Sequence, residues 1–263
     1  MTDLIQTHHR DQIFEIVLNR PEKRNAINME MWAALDTAVT TANTTPGLRA
    51  VILRGEGAVF SAGIDVSNLL LLADKYGPHW QTRFRRITDD YQAVVTHLER
   101  LELPTIALLH GYCLGLGMEL ALACDIRIMA AGTQWGLPET RLGIIPDVGG
   151  TTRLLRQIGS ARAKEIIFTG KRYPAEQAAA WGVVNYVVDE AELMPRAEAL
   201  IDDILPAAPL AVGMAKRVID GIADLDRGLQ LEGWAQSQLI NSEDFMEGAQ
   251  AFMMKRSPEW KGK

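Results

Sequence analysis

The stretch Thr105-Ile-Ala-Leu-Leu-His-Gly-Tyr-Cys-Leu-Gly-Leu-Gly-Met-Glu-Leu-Ala-Leu-Ala-Cys-Asp-Ile-Arg-Ile-Met-Ala-Ala131 decides how this chain is read. It is long and apolar enough for a membrane span, yet it carries His110, Glu119, Asp125 and Arg127 and is broken by glycines. Charges of that kind are costly in lipid. The segment reads instead as a buried strand, Thr105 to Leu109, a glycine turn, a buried helix, Met118 to Cys124, opening after Gly115 and Gly117, and a returning strand, Ile126 to Met129. Strand, helix and strand in succession indicate an α/β core.

Working outward, Ile13 to Leu18 and Arg49 to Arg54 are short β-branched runs that predict strands. Between them Met29 to Asn43 predicts a helix, with Asn28 as N-cap and Trp32, Leu35, Val39 and Ala42 on one face. Trp80, Phe84, Ile87, Tyr91, Val94, Leu98 and Leu101 recur at steps of three or four and predict a long helix ending at Pro104. Its aromatic residues are expected to pack in the core. On the other side, helices are expected after Gly149 and Gly150, from a cap at Ser160, and from Pro174 to Trp181, with a last strand in Val183 to Val188. Beyond about Ala191 the pattern is helical only, with Pro195, Pro206 and Pro209 as expected breaks. The expected organisation is a core over 1–195 and a C-terminal helical part over 196–263.

The whole chain has 263 residues, 33 acidic against 27 basic, a net charge of −6, and 48% apolar residues. That balance is globular and excludes collagen, coiled coil and disorder. An acidic chain without blocks of like charge lacks the footprint of a nucleic-acid binder. Cys113 and Cys124 have neither zinc-site nor disulfide-framework spacing, and Met1 to Arg10 lacks the apolar run of a secretory signal. The reading is therefore cytoplasmic, with no membrane and no nucleic-acid partner.

Several chemistries are discounted by motif. Gly115-Leu-Gly117 lacks the third glycine of a dinucleotide fingerprint, Gly170-Lys171 lacks Walker spacing, and neither His-Glu-x-x-His nor Gly-x-Ser-x-Gly occurs. No metal is expected. What remains is three acids in apolar or Gly-rich company: Glu119, Glu139 after Pro138, and Asp147 after Pro146. A carboxylate among Met118, Leu120, Ala121 and Leu122 is costly to bury unless it is partnered, so it is either hydrogen-bonded structure or a functional acid/base. Asp125, by contrast, reads as a structural partner of Arg127. The turns Phe60-Ser-Ala-Gly-Ile-Asp65 and Gly115-Leu-Gly117 are candidates to present outward-facing backbone N–H groups, the second at a helix start.

Taken together, Asn25-Ala26, Phe60 to Asp65, His110 to Ala121, Cys124-Asp-Ile-Arg127, Pro138-Glu139, Leu142 to Gly150, Thr169-Gly170, Ala180 to Val184 and Glu247 to Trp260 resemble the enoyl-CoA hydratase/isomerase (crotonase) superfamily. The resemblance covers nearly the whole chain and agrees in order and spacing. It implies a crotonase-like spiral of ββα units with a C-terminal helical part that trimerises, often to a hexamer. It also implies an acyl-CoA thioester substrate, a place in lipid metabolism such as fatty-acid β-oxidation, and no cofactor beyond the coenzyme A of the substrate.

By the same resemblance, the backbone amides of Ile64 and Leu116 form an oxyanion hole for the thioester oxygen. Lys23, Arg24, Ala26, Ala62, Asp65, Val66 and Ser67, with Pro138, line the path of the CoA and the substrate. Glu119 and Glu139 match the pair that holds and activates water in the hydratases, Glu139 matching the proton donor to the α-carbon. Asp147 stands where common hydratases carry glycine, eight residues beyond Glu139, the offset at which Δ3,5-Δ2,4-dienoyl-CoA isomerases pair an Asp with the Glu. Those isomerases usually carry Asp rather than Glu at the position of Glu119. Leu116 is a second departure, since many members have glycine there. The expected activity is 2-enoyl-CoA hydration, with dienoyl-CoA isomerisation as the alternative and a non-catalytic acyl-CoA binder behind both.

Overall fold

The β-branched runs on either side of the first helix pair in parallel, Ile13 opposite Ala50 and Leu18 opposite Gly55. A computed structural model of the chain describes residues 3–67, 72–222 and 242–263. In it these runs are β2 (Ile13–Leu18) and β3 (Ala50–Gly55), inside a six-stranded sheet. The sheet begins at β1 (Ile5–Arg10), antiparallel to β2, and continues in parallel through β3 to β4 (Thr105–Leu109), β6 (Ile126–Ala130) and β9 (Tyr186–Val188). A smaller sheet joins β5 (Tyr112–Leu114), β7 (Gln134–Gly136) and β8 (Tyr173–Pro174). Two successive units, β4 with β5 and β6 with β7, thus place one strand in the large sheet and a short partner in the small one, with a helix to follow.

The alternation along the central strands shows why the large sheet is covered on both faces. Val51 and Leu53, with Ala107 and Leu109, point into the main core, whereas Ala50, Ile52, Ile106 and Leu108 point to the opposite face. There they meet Leu193, Ala197 and Ile201 of α7 (Leu193–Ile204). Parallel strands buried on both faces read as continuous apolar runs. The helix α7 crosses the 195/196 division, and Pro195 lies in its first turn, where a missing N–H breaks no helical bond. The expected break at Pro195 is therefore absent, while Pro209 does open a helix, α8 (Pro209–Gly221). The segment 223–241 of the expected C-terminal part lies outside the described residues. The helix α9 (Glu243–Met254) is tied back through buried Asp244, which accepts from the N–H groups of Lys261 and Gly262.

The helix α1 (Met29–Thr44) starts where expected, the Asn28 side chain accepting from Met31 N at 2.8 Å, and it buries the four residues assigned to its inner face. The periodic stripe from Trp80 becomes a 3-10 turn followed by α3 (Phe84–Glu99), after the short α2 (Leu72–Tyr76). Further on come α4 (Leu116–Leu122), α5 (Gly150–Thr169) and α6 (Ala175–Ala180). Gly159, at φ 77°, kinks α5 just before Ser160, where the sequence suggests a fresh start. The Asp125–Arg127 pairing is corrected. Asp125 binds Lys216 at 2.8 Å and accepts from Thr105, while Arg127 donates to the carbonyls of Val183, Ala121 and Cys124. The guanidinium satisfies the Cys124 carbonyl just past the end of the helix and adds a second donor to those of Ala121 and Val183.

Candidate active site

Two turns meet at the β5 edge of the small sheet. Ser61 bridges Cys113 and Ile27 bridges Ile64. In the second bridge Ile27 N donates to Gly63 O and Asp65 N donates to Ile27 O, at 2.8 and 2.9 Å. Those bonds use the groups on either side of Ile64 and turn its own N–H the other way; among the described residues it meets no acceptor. Leu116 N opens α4 and likewise meets none. Gly115 before it sits at φ 52°, ψ −127°, a conformation that glycine tolerates without strain. A Cβ on Gly63 would lie 3.4 Å from Leu116 N, so the turns are in contact and their two free amides are neighbours.

These turns form one wall of a cavity of about 370 Å³. Ile64, Leu116, Glu119, Glu139 and Asp147 all line it, so the structure gathers the three acids and both amide-bearing residues. The opposite wall is apolar: Phe84, Ile87 and Tyr91 from α3, with Ile144, Ile145 and Val148. This corrects the expectation that the aromatic stripe is core. Tyr91 stacks on Trp32 at 5.3 Å between ring centroids, but it and Phe84 also face the cavity. Periodicity identifies the inward face of a helix without distinguishing a packed core from a ligand-sized hollow.

The two glutamates are held differently. Glu119, 2% exposed, accepts at Oε1 from Val148 N (2.9 Å) and Gly150 N (2.8 Å). A Cβ on Gly150 would approach Glu119 Cγ to 2.8 Å, so position 150 must be bare for the carboxylate to seat. Burial pushes the Glu119 carboxyl up to about 8, the charge of Glu139 adds to the rise, and the N–H groups of Gly150 and Val148 oppose it. Glu139, 8% exposed, opens the 3-10 turn Glu139–Leu142 and is pushed up to about 7, chiefly by burial. Its Oε2 is buried with no partner among the described residues. Half-buried Asp147 accepts from Thr88 Oγ1 at 3.0 Å, and its carbonyl accepts from Gln92 Nε2 at 2.6 Å. A free amide pair, a carboxyl with one unpartnered oxygen and a second carboxyl held by the backbone can stabilise a growing oxyanion and move a proton beside it.

A sequence model of the enoyl-CoA hydratase/isomerase family matches residues 8–263. The chain belongs to the enoyl-CoA hydratase/isomerase family. Among its relatives, the bovine (Bos taurus) enoyl-CoA hydratase domain-containing protein 2, mitochondrial, is 39% identical over 257 residues, covering 95% of this chain and 84% of that one. Carnitinyl-CoA dehydratase of Salmonella enteritidis is 35% identical over 272 residues and the full length of both. The crystal structure of enoyl-CoA hydratase from Bacillus anthracis superposes with a TM-score of 0.90 at 37% identity, covering 99% of this chain and all of that one. The crotonase-like spiral inferred from the motifs is the fold of this family member.

The remaining candidates of this family member lie outside the cavity lining. Ala62 N donates to Arg24 O, and Asp65 pairs with Arg20 at 2.6 Å, so the segment 20–26 is stitched to the 61–65 turn beside the cavity. Lys23 and Arg24 are exposed there, as are Val66 and Ser67, while Ala26, Ala62, Asp65 and Pro138 are half-buried. Asp65 is held below the usual carboxylate range by the Ser67 hydroxyl and by Arg20. Arg20 itself was not anticipated, and nor were Thr88 and the 143–145 segment of the lining. The i, i+3 and i+4 spacing of Phe84, Ile87, Thr88 and Tyr91 was the available signal, since it puts Thr88 on the stripe otherwise assigned to apolar packing.

Proposed function

We propose that this enzyme hydrates 2-trans-enoyl-CoA to 3-hydroxyacyl-CoA. The reading is carried by one observation: two buried glutamates share a cavity with two backbone amides that, like one oxygen of Glu139, meet no partner among the described residues. In this mechanism the amides of Ile64 and Leu116 receive the thioester oxygen as negative charge develops on it, stabilising the transition state more than the neutral carbonyl. Glu119 and Glu139 hold one water. Its oxygen bonds to C3, protonated Glu139 gives its proton to C2, and the proton left by the water returns to the carboxylate pair, so H and OH add across the double bond. The segment around Lys23, Arg24, Ala26 and 62–67 takes the CoA. Assembly as a homotrimer or hexamer belongs to the same reading and is measured by light scattering on the purified protein.

Asp147 supports a second reading. It lines the same cavity, anchored on Thr88, and would let two acids move protons at opposite ends of a 3,5-dienoyl-CoA. Purified protein with a panel of 2-enoyl-CoAs and 3,5-dienoyl-CoAs separates the two: hydration removes conjugated absorbance, isomerisation to the 2,4-diene increases it. Turnover of dienes alone would replace the hydratase reading.

A further inference from the structure

The turn that holds Glu119 is braced from behind by a half-buried ion pair. Arg153, in the first turn of α5, forks onto Glu99 at the end of α3: Nε donates to Oε1 at 3.0 Å and Nη2 to Oε2 at 2.6 Å. Its third arm, Nη1, donates to Val148 O at 3.3 Å. A Cβ on Gly149 would fall 1.7 Å from that same nitrogen, so this end of the guanidinium packs directly on the bare Gly149 backbone. The two N–H groups that seat Glu119 come from this backbone, on the cavity side. The helix α3 touches the turn at two further points, through Thr88 and Gln92 to Asp147.

We propose that Glu99 and Arg153 are positioning residues for the reaction: their ion pair holds the 148–150 turn in the geometry that aims both amides at Glu119. The inference rests on the role proposed for Glu119. A bidentate pair fixes direction as well as distance, which a single-point contact does not. With the brace loosened, the amides drift from Oε1, the charged form of Glu119 loses its donors, and its proton affinity rises. The titratable groups facing Glu119 are Glu139 from the 3-10 turn and Asp147 from the turn before α5, with the Tyr91 phenol of α3 on the same cavity. β5 brings Tyr112 and the buried Cys113 thiol but no carboxylate, and α5 brings Arg153 itself, behind the turn.

The decisive variants are Arg153→Lys, which keeps the charge and loses the fork, and Glu99→Gln, which keeps the shape. Two readouts are needed. The first is kcat, KM and the pH profile on the best acyl-CoA. The second needs no substrate: the pH dependence of thermal unfolding, with and without Glu119→Gln, whose difference isolates the titration of Glu119. We expect kcat to fall about tenfold with KM within about twofold, and the Glu119 midpoint to rise by about half a pH unit or more in both measurements. The double variant should be no worse than the poorer single one, because the two side chains act as one unit. Single variants that lower the melting temperature yet keep the wild-type kcat and Glu119 midpoint would overturn the proposal. If no acyl-CoA is turned over, the functional reading fails, while the unfolding titration still decides whether the pair positions Glu119.

Discussion

The 147–150 turn and the 138–143 turn each set the state of one buried glutamate, and they do so in opposite ways. The first points two backbone N–H groups at Glu119 and is itself tied to α3 and Arg153. The second delivers Glu139 from the start of a short 3-10 turn and leaves its Oε2 without a partner among the described residues. Two donors fix the Glu119 carboxyl in place and oppose, without cancelling, the burial that lifts it to about 8. Glu139, less deeply buried and lifted to about 7, has an oxygen with no partner among the described residues and is free to exchange its proton. The contrast teaches that burial alone does not assign a role: the division of labour between the glutamates comes from the backbone groups around them.

The sharpest way to break that contrast is Glu139→Gln, which preserves shape and removes the mobile proton. Turnover should fall by about a hundredfold or more, with acyl-CoA affinity little changed. Single-turnover kinetics with a binding titration check this, and a loss under about tenfold would hand the principal donor role to another group.

Next in size, Glu119→Gln should abolish most hydration, while Asp147→Asn should cost less than about tenfold, since the water needs only the 119 and 139 pair. Measured on dienoyl-CoA, the reverse order would mark an isomerase. Equal small effects would reduce the cavity to a binding site.

A third effect is read by pH. Both glutamates are raised above 4.5, towards about 8 and about 7, with Glu139 and Asp147 charges adding to burial. Between the unfolded value and these folded values the native state holds protons that the unfolded chain has lost. Stability should therefore be full below about pH 4.5 as far as these groups are concerned, fall as pH rises towards 8, and level off beyond. Denaturant melts of wild type and Glu119→Gln across that window test it, the variant losing less on the alkaline side. Activity should follow the coupled pair, kcat/KM peaking where the two share one proton and declining on either side.

The smallest expected change concerns Leu116. Leu116→Gly keeps the N–H and costs about 1 kcal/mol in backbone freedom. Bulkier or branched acyl-CoAs should then gain kcat/KM relative to short linear ones. A specificity profile identical to wild type would show that the leucine side chain is ordinary packing.

Much of this was legible along the chain. The runs around Ile16, Val51 and Leu108 and the Asn28 cap announce themselves because short unbroken apolar runs and helix capping are local, set by neighbours within a few residues. The motif from His110 to Ala121 carries both an amide donor and Glu119, so its chemistry is written in one stretch. β5, β7 and β8 were not legible: each is only two or three residues long and exists through its partners across the small sheet.

By itself, then, the sequence determined the α/β class, the principal elements and the identities of the three acids, because these depend on local periodicity and on side-chain chemistry. Tertiary structure alone decided that Asp125 pairs with Lys216, that Phe84, Ile87 and Tyr91 border a cavity, and that one glutamate is satisfied while the other is not. The physical reason is that hydrogen-bond satisfaction and burial belong to pairs of groups. The partners of Glu119 lie 29 and 31 positions away, at Val148 and Gly150, where no local pattern in the chain can point.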